Sequence, residues 1–226
     1  MKNSLKIWTK WTKWVSVFLL IGAALPSPAA QAQDSFVRVL HGLSLASKVD
    51  VFLDGKKTFN DLEFGGLTPY LRVPAGRHSF RVQSNNPSRT LLSVTRSFRA
   101  YDFSTLGIYG VASRPRVFNS NDSLGTPAYG RAQLTAYHLS PGMPAFDVVA
   151  YVPGGDILML IRNVKYGQTR RANIPAFPMT IRLVRRGAIL KTLTGADPRA
   201  GRKYALYAIG RPSRNFKALL DVTASQ

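Results

Sequence analysis

The 226-residue sequence contains no cysteine. That absence excludes a disulfide framework, a thiol nucleophile, a closed thiolate zinc site and a lipid-modified cysteine at a processed N-terminus. Histidine is nearly as scarce: His41, His78 and His138 are the whole set, and none pairs at the ligand spacing of a helix or hairpin metal site. Acidic residues number 11 against 31 lysines and arginines. There is no G-x-S-x-G elbow, no phosphate-cradling glycine loop and no dinucleotide fingerprint. Downstream of the N-terminal segment no stretch carries a sustained 3.6-residue apolar stripe, so a helical core is excluded. No cofactor and no metal is expected.

The N-terminal segment reads as a secretory signal peptide. Lys2, Lys6, Lys10 and Lys13 precede an uncharged apolar run from Trp14 to Leu25, and PSPAAQA then places small residues at Ala30 and Ala32. The run is about half of the roughly 20 residues that a membrane-spanning helix needs. Cleavage after Ala32 is therefore expected, leaving a periplasmic or extracellular chain without a transmembrane segment. An exported chain without cystines fits a bacterial envelope.

The formal charge of +20 falls to about +16 without those four lysines, and 20 arginines against 7 lysines then carry it. Such a field attracts polyanions. Outside a bacterial cell these are acidic polysaccharides, phosphorylated glycolipids and lipid head groups rather than chromosomal nucleic acid. The arginines gather as Arg72, Arg77 and Arg81; Arg96 and Arg99; Arg170 and Arg171; and Arg182, Arg185 and Arg186. Guanidinium forks bind carboxylates and phosphates in bidentate fashion, which makes these the candidate anion-binding residues. Any one cluster is equally an ordinary solvated sheet face, and the excess charge also serves solubility alone.

The chain repeats itself. HGLSLASKVD (41–50) and HLSPGMPAFD (138–147) share a His and Asp nine positions apart. FGGLTPYLRVPAG (64–76) faces YGQTRRANIPAFP (166–178), and TLGIYG (105–110) faces ALYAIG (205–210). Offsets of 97, 102, 101 and 100 residues for His41/His138, Phe64/Tyr166, Pro74/Pro175 and Gly110/Gly210 keep landmarks in order. A tandem duplication follows: a first domain over 33–118, a linker over 119–130 rich in Asn, Ser, Gly and Pro, and a second domain over 131–226.

Within each unit, period-two alternation recurs in short pieces bounded by turn residues. Strands are expected at 36–40, 49–53, 67–73, 78–82, 91–98 and 103–111, and again at 132–138, 146–152, 157–161, 179–185 and 203–209. Asp54-Gly55 marks a tight hairpin, and Pro74 with Gly76 marks another turn. The fold class is all-β, two tandem Greek-key β-sandwiches of immunoglobulin-like or transthyretin-like type, with six or seven strands each.

These residues resemble a bacterial exported family, the domain of unknown function 4397. Its pattern V-H-x-S-P-x-x-P-x-V-D-V matches His138, Ser140, Pro141, Pro144 and Asp147, with Phe146 in place of Val. The first unit supplies His41, Val49, Asp50, Val51, then Asp54 and Gly55, then Phe64, Gly65, Thr68 and Tyr70, and finally Val73 to Gly76. The first unit lacks both prolines after its histidine, and the second departs from the D-G and V-P-A-G elements. The resemblance implies a secreted β-sandwich, often in tandem copies, with no assigned activity. A looser likeness, through FVRV (36–39) and VPAG (73–76), is to the accessory protein of alginate acetylation.

Two readings of the His/Asp landmarks compete. In a hydrolase, His41 or His138 would be a general base oriented by Asp50 or Asp147, with Ser44 or Ser140 as nucleophile. In the structural reading, the histidine and aspartate bond across the loop between two strands or cap its free amides. Retention of the landmarks in both copies favours the second, which makes His41, Asp50, Asp54, Gly55, Pro74, Gly76, His138 and Asp147 framework residues. Calcium at Asp50, Asp54 and Asp61 lacks the spacing and bidentate Glu of a binding loop. The expected function is non-catalytic binding of an anionic polysaccharide, glycolipid or envelope surface. An enzyme or accessory for polysaccharide modification, and an adhesive subunit assembling through sheet edges, are the alternatives.

Overall fold

Alternating runs become strands, and polar runs beside them become strands as well. The computed structural model describes residues 33–46 and 48–223; the expected signal peptide, residues 1–32, lies outside them. The described residues form sixteen strands and no helix. The first eight are β1 (Asp34–Ser44), β2 (Lys48–Leu53), β3 (Lys56–Glu63), β4 (Leu71–Pro74), β5 (Gly76–Asn85), β6 (Ser88–Phe98), β7 (Phe103–Val111) and β8 (Arg114–Asn121). The second eight are β9 (Arg131–His138), β10 (Phe146–Tyr151), β11 (Ile157–Val164), β12 (Thr169–Pro175), β13 (Met179–Arg185), β14 (Ala188–Ala196), β15 (Lys203–Ile209) and β16 (Lys217–Thr223).

The sheets are β4-β1-β7-β8 and β3-β2-β5-β6 in the first half, and β12-β9-β15-β16 and β11-β10-β13-β14 in the second. Adding eight to every strand of the first half gives the second. Even the parallel pairs correspond, β1 with β7 and β9 with β15. The repeat thus holds eight strands, more than the six or seven the alternation predicts, because polar edge strands escape a period-two search.

One further expectation is corrected. The stretch 119–130 does not begin as linker: Asn119 to Asn121 finish β8, paired with Ser104 to Leu106 of β7, and Asp122 is buried. Its polar composition reflects an interior hydrogen-bond network rather than solvation. Pro74 and Gly76 do turn the chain between two strands, as expected. β4 and β5 lie in different sheets, so V-P-A-G is the crossover between the layers, with Gly76 at φ 138°. The Asp54-Gly55 hairpin does form, both residues having positive φ (48° and 81°), as a primed turn requires.

Each half buries its own core. Val37, Val39, Leu106 and Ile108 pack on Val49, Val51, Phe80 and Val82 in the first; Leu134, Ala136 and Leu206 pack on Val148, Ile181 and Leu183 in the second. A third cluster, Leu40, Tyr109, Tyr137, Leu139, Ala205, Tyr207 and Ile209, joins the inner sheets of the two halves. The inner sheets are therefore covered on both faces, which explains why β1, β7, β9 and β15 are buried almost throughout.

That joint depends on close contact. Phe118 stacks on Tyr137 at 5.2 Å, and Tyr137 on Tyr207 at 4.9 Å. Phe118 also lies across Gly107, where a Cβ would fall 1.6 Å from its ring. Gly107→Ala is accordingly expected to displace Phe118 and to cost about 1–3 kcal/mol. Denaturant unfolding measures it; an unchanged midpoint would show that the ring shifts freely.

Candidate functional site

The two landmark histidines are built alike. His138 ends β9 and His41 lies three residues before the end of β1, and both turn inward at 0% exposure. His41 Nε2 lies 3.1 Å from the Ala46 carbonyl, and its Nδ1 accepts the Leu43 amide at 3.3 Å. His138 Nε2 lies 3.2 and 3.1 Å from the Met143 and Pro144 carbonyls, and Nδ1 accepts the Ser140 amide at 3.4 Å. An amide donor at Nδ1 fixes the neutral tautomer with the proton on Nε2. Burial pushes the His41 pKa down to about 4, against a smaller opposing effect of the Ala46 carbonyl. Burial lowers His138 likewise. Both ring nitrogens of each histidine are engaged with backbone.

The aspartates serve other ends. Asp50 accepts the Asp61 amide at 2.9 Å and Asp147 the Asn163 amide at 2.7 Å. Asp61 and Asn163 are the matching residues of two β-bulges, at φ 48° and 51°, so each carboxylate caps an amide that the bulge removes from the ladder. Asp50 also bonds Lys57 at 2.6 Å and Asn85 at 3.2 Å. Its slight burial opposes ionisation, but these bonds outweigh that effect and hold the carboxyl below its usual range.

Histidine and aspartate are thus not one another's partners: of the two structural readings, the bond across the loop does not form, and each aspartate instead caps a free backbone amide. The serine hydroxyls are also committed, Ser44 to Asn215 at 3.0 Å and Ser140 to the Gly210 carbonyl. Asp54 holds His78 Nδ1 at 2.6 Å and the Ser79 amide at 2.8 Å, while His78 Nε2 reaches the Pro74 carbonyl at 2.7 Å. His78 therefore ties the Asp54-Gly55 hairpin to the Pro74-Gly76 crossover. Asp54 lies apart from Asp50 and Asp61, and no group of three His, Asp or Glu suited to a metal occurs among the described residues.

A network that sequence reasoning missed sits between the halves. Arg38, 4% exposed on β1, donates to Thr105 Oγ1 at 2.9 Å and to Asp221 Oδ2 at 2.5 Å, with Asp122 Oδ2 at 3.8 Å. Its guanidinium lies over the Tyr70 ring at 4.6 Å. Tyr70 donates to Asp122 at 2.7 Å, and Ser120 links Asp122 to Tyr137. Burial raises the Asp122 pKa against the combined pull of these donors and Arg38, and pushes Tyr137 up to about 12. The lone charge within FVRVL was the available signal.

The candidate anion-binding arginines do not converge. Arg72, on β4, pairs with Asp34. Arg77 and Arg81 lie on β5, Arg170 and Arg171 on edge strand β12, and Arg182 and Arg185 on β13, with Arg186 in the β13–β14 turn. Arg96 pairs in register with inward-facing His78 and so leaves the outer face that Arg81 occupies. Arg99 is exposed beyond β6. Two arginines stand out. Arg81 lies over the Phe52 ring at 4.0 Å and Arg182 over the Tyr151 ring at 3.8 Å, each on the outer face of its own sandwich.

Residues 35–149 match the model of the Domain of unknown function (DUF4397). The chain belongs to this family. The matched stretch covers the whole first half and runs through β9 into β10, so the family model spans one copy and the start of the next. The curated proteins give no match. Among solved structures, the chain is similar to CBMbc (family CBM26) of Eubacterium rectale Amy13K in complex with maltoheptaose, at 10% identity and a TM-score of 0.26 over 85% of this chain and 98% of that one. It is also similar to a candidate cell adhesion protein from Bacteroides uniformis ATCC 8492, at 9% identity and a TM-score of 0.28 over 84% and 98% of the two chains.

Proposed function

We propose that this DUF4397 protein is an exported, non-catalytic binding protein of the bacterial envelope, holding an anionic polymer or surface through its arginine-rich exterior. One observation carries the reading: the carboxylates are turned to the protein's own groups, while several exposed arginines are left without an anionic partner among the described residues. Asp50 and Asp147 cap bulges, Asp54 holds His78, and Asp122 and Asp221 hold Arg38. Arg77, Arg170, Arg185 and Arg186 are exposed and make no ion pair among the described residues. The imbalance is greatest in residues 131–226, with 15 lysines and arginines against 4 aspartates.

The histidine geometry supports the non-catalytic half of the proposal, because a general base needs a free nitrogen within reach of the proton it removes. No helix of the described residues is long and apolar enough to cross a membrane.

Retention on immobilised dextran sulfate tests the reading. Raising salt from about 0.1 M to about 1 M shortens the screening length from about 10 Å to about 3 Å, and the protein is expected to bind at the lower value and elute before the higher. Passage through the column at low salt, or retention indifferent to salt, would contradict it.

A further inference from the structure

The two copies provide an internal comparison of their outer faces. On the first, Phe52 is flanked in register by Lys57 and Arg81; on the second, Val149 is flanked by Met159 and Arg182. One strand further, Arg81 opposes Ser93 and Arg182 opposes Thr192, while Gln83 opposes Thr90 and Val184 opposes Ile189. The arginine is kept, but Lys57, Gln83 and Thr90 have become Met159, Val184 and Ile189. Ile157, paired in register with Tyr151, extends the apolar row.

These side chains meet solvent: Ile157 is 57% exposed, Met159 42% and Ile189 52%. An antiparallel sheet packed on one side ordinarily turns polar residues outward, as the first copy does. The second instead shows aliphatic groups around a guanidinium stacked on Tyr151, whose Nε finds no acceptor among the described residues. Exposed Arg162, Arg185 and Arg186 lie on the same strands and turn, whereas Lys191, in register with inward-facing Leu183, leaves this face. The one carboxylate in the shallow depression beside Arg185 and Arg186, Asp147, is occupied by the Asn163 amide.

We infer that the outer face of β10, β11, β13 and β14 docks on an anionic lipid surface, with Ile157, Met159 and Ile189 entering the boundary between head groups and acyl chains. The inference rests on the proposed anion-binding role and gives it a place. An acidic bilayer rewards both features, basic side chains held near its phosphates and aliphatic side chains withdrawn from water. A hydrated anionic polysaccharide gains nothing from the aliphatic groups, and the ring on which a sugar would stack is already covered by Arg182. A second copy is disfavoured by charge, since two such faces would oppose Arg182, Arg185 and Arg186 to themselves.

The test is co-sedimentation of the mature chain with vesicles of phosphatidylcholine alone and of equimolar phosphatidylcholine and phosphatidylglycerol. The decisive variant installs residues of the first copy, Met159→Lys with Ile189→Thr, which raises the positive charge while removing apolar surface. Binding to the acidic vesicles is expected to weaken by about tenfold or more, with dextran sulfate retention kept. Ile157→Ser, at a strand end, reads out the same loss if the double variant does not fold. Equal or tighter vesicle binding by the variants would overturn the inference, as charge alone would then suffice. Wild-type protein that binds dextran sulfate but neither vesicle would overturn it in favour of a polysaccharide partner. Failure to bind dextran sulfate and vesicles alike would remove the anion-binding reading as well.

Discussion

Acidification from pH 7 to pH 4 is expected to remove about 3 kcal/mol of folding stability through His41 alone. Its folded pKa of about 4 lies below the ordinary value of 6.5 because the ring is buried. As pH falls through 6.5 the unfolded chain takes up a proton that the folded chain refuses. The stabilisation is therefore complete above pH 6.5, declines across the interval, and is gone near pH 4. His138, also lowered by burial, adds in the same direction. Asp122 works in the opposite sense, because burial raises its pKa and the folded state accepts that proton first. Asp50 and Asp54, both held below the usual carboxylate range, withdraw stability only at still lower pH. Guanidinium unfolding at a series of pH values checks this, and His41→Gln should be less stable at pH 7 but flatter across the interval. A wild-type midpoint that is level from pH 7 to pH 4 would be incompatible with two buried neutral histidines.

Arg38→Ala is expected to be the most damaging single exchange, at about 3–5 kcal/mol. The lost energy is not that of a surface ion pair. Asp122, whose side chain is 1% exposed, would be left buried without its nearest cation, with only the more distant Lys203 to offset it, while Asp221 at 39% can turn to water. Asp122→Asn keeps a polar group beside Tyr70 and Thr105 and removes the stranded charge. The double variant should therefore recover a large part of the loss, giving a coupling of at least about 1 kcal/mol in a double-mutant cycle. Additive, small effects would mean that water enters the joint and that Arg38 does not hold the halves together.

The strands legible in the sequence included those whose two faces differ and those buried on both. β2, β5, β10 and β13 pack on one side, and their alternation is plain in Val49, Val51 and Leu53 or in Met179, Ile181 and Leu183. β3, β8, β12, β14 and β16 were missed, and all are edge strands. In β3 and β14 a register shift also breaks the period, so that KKTFNDLE and AILKTLTGA no longer alternate. The landmark histidines and aspartates were legible through duplication, but their partners were not, because a loop carbonyl or a bulge amide leaves no mark in side-chain spacing. Arg38 showed as a charge among apolar neighbours, yet Asp221 lies 183 residues away. Arginine spacing likewise could not separate Arg81, on an outer face, from Arg96, on the opposite one.

Under the proposed function the landmark residues maintain the fold, while recognition belongs to the cationic outer face of the second copy. Backbone amide NMR of residues 33–226, titrated with bicelles containing phosphatidylglycerol, separates the two roles. Shifts are predicted to concentrate at Tyr151, Met159, Arg182 and Ile189, with the loops after His41 and His138 unmoved. Shifts centred on those histidine loops, with the outer face silent, would contradict it.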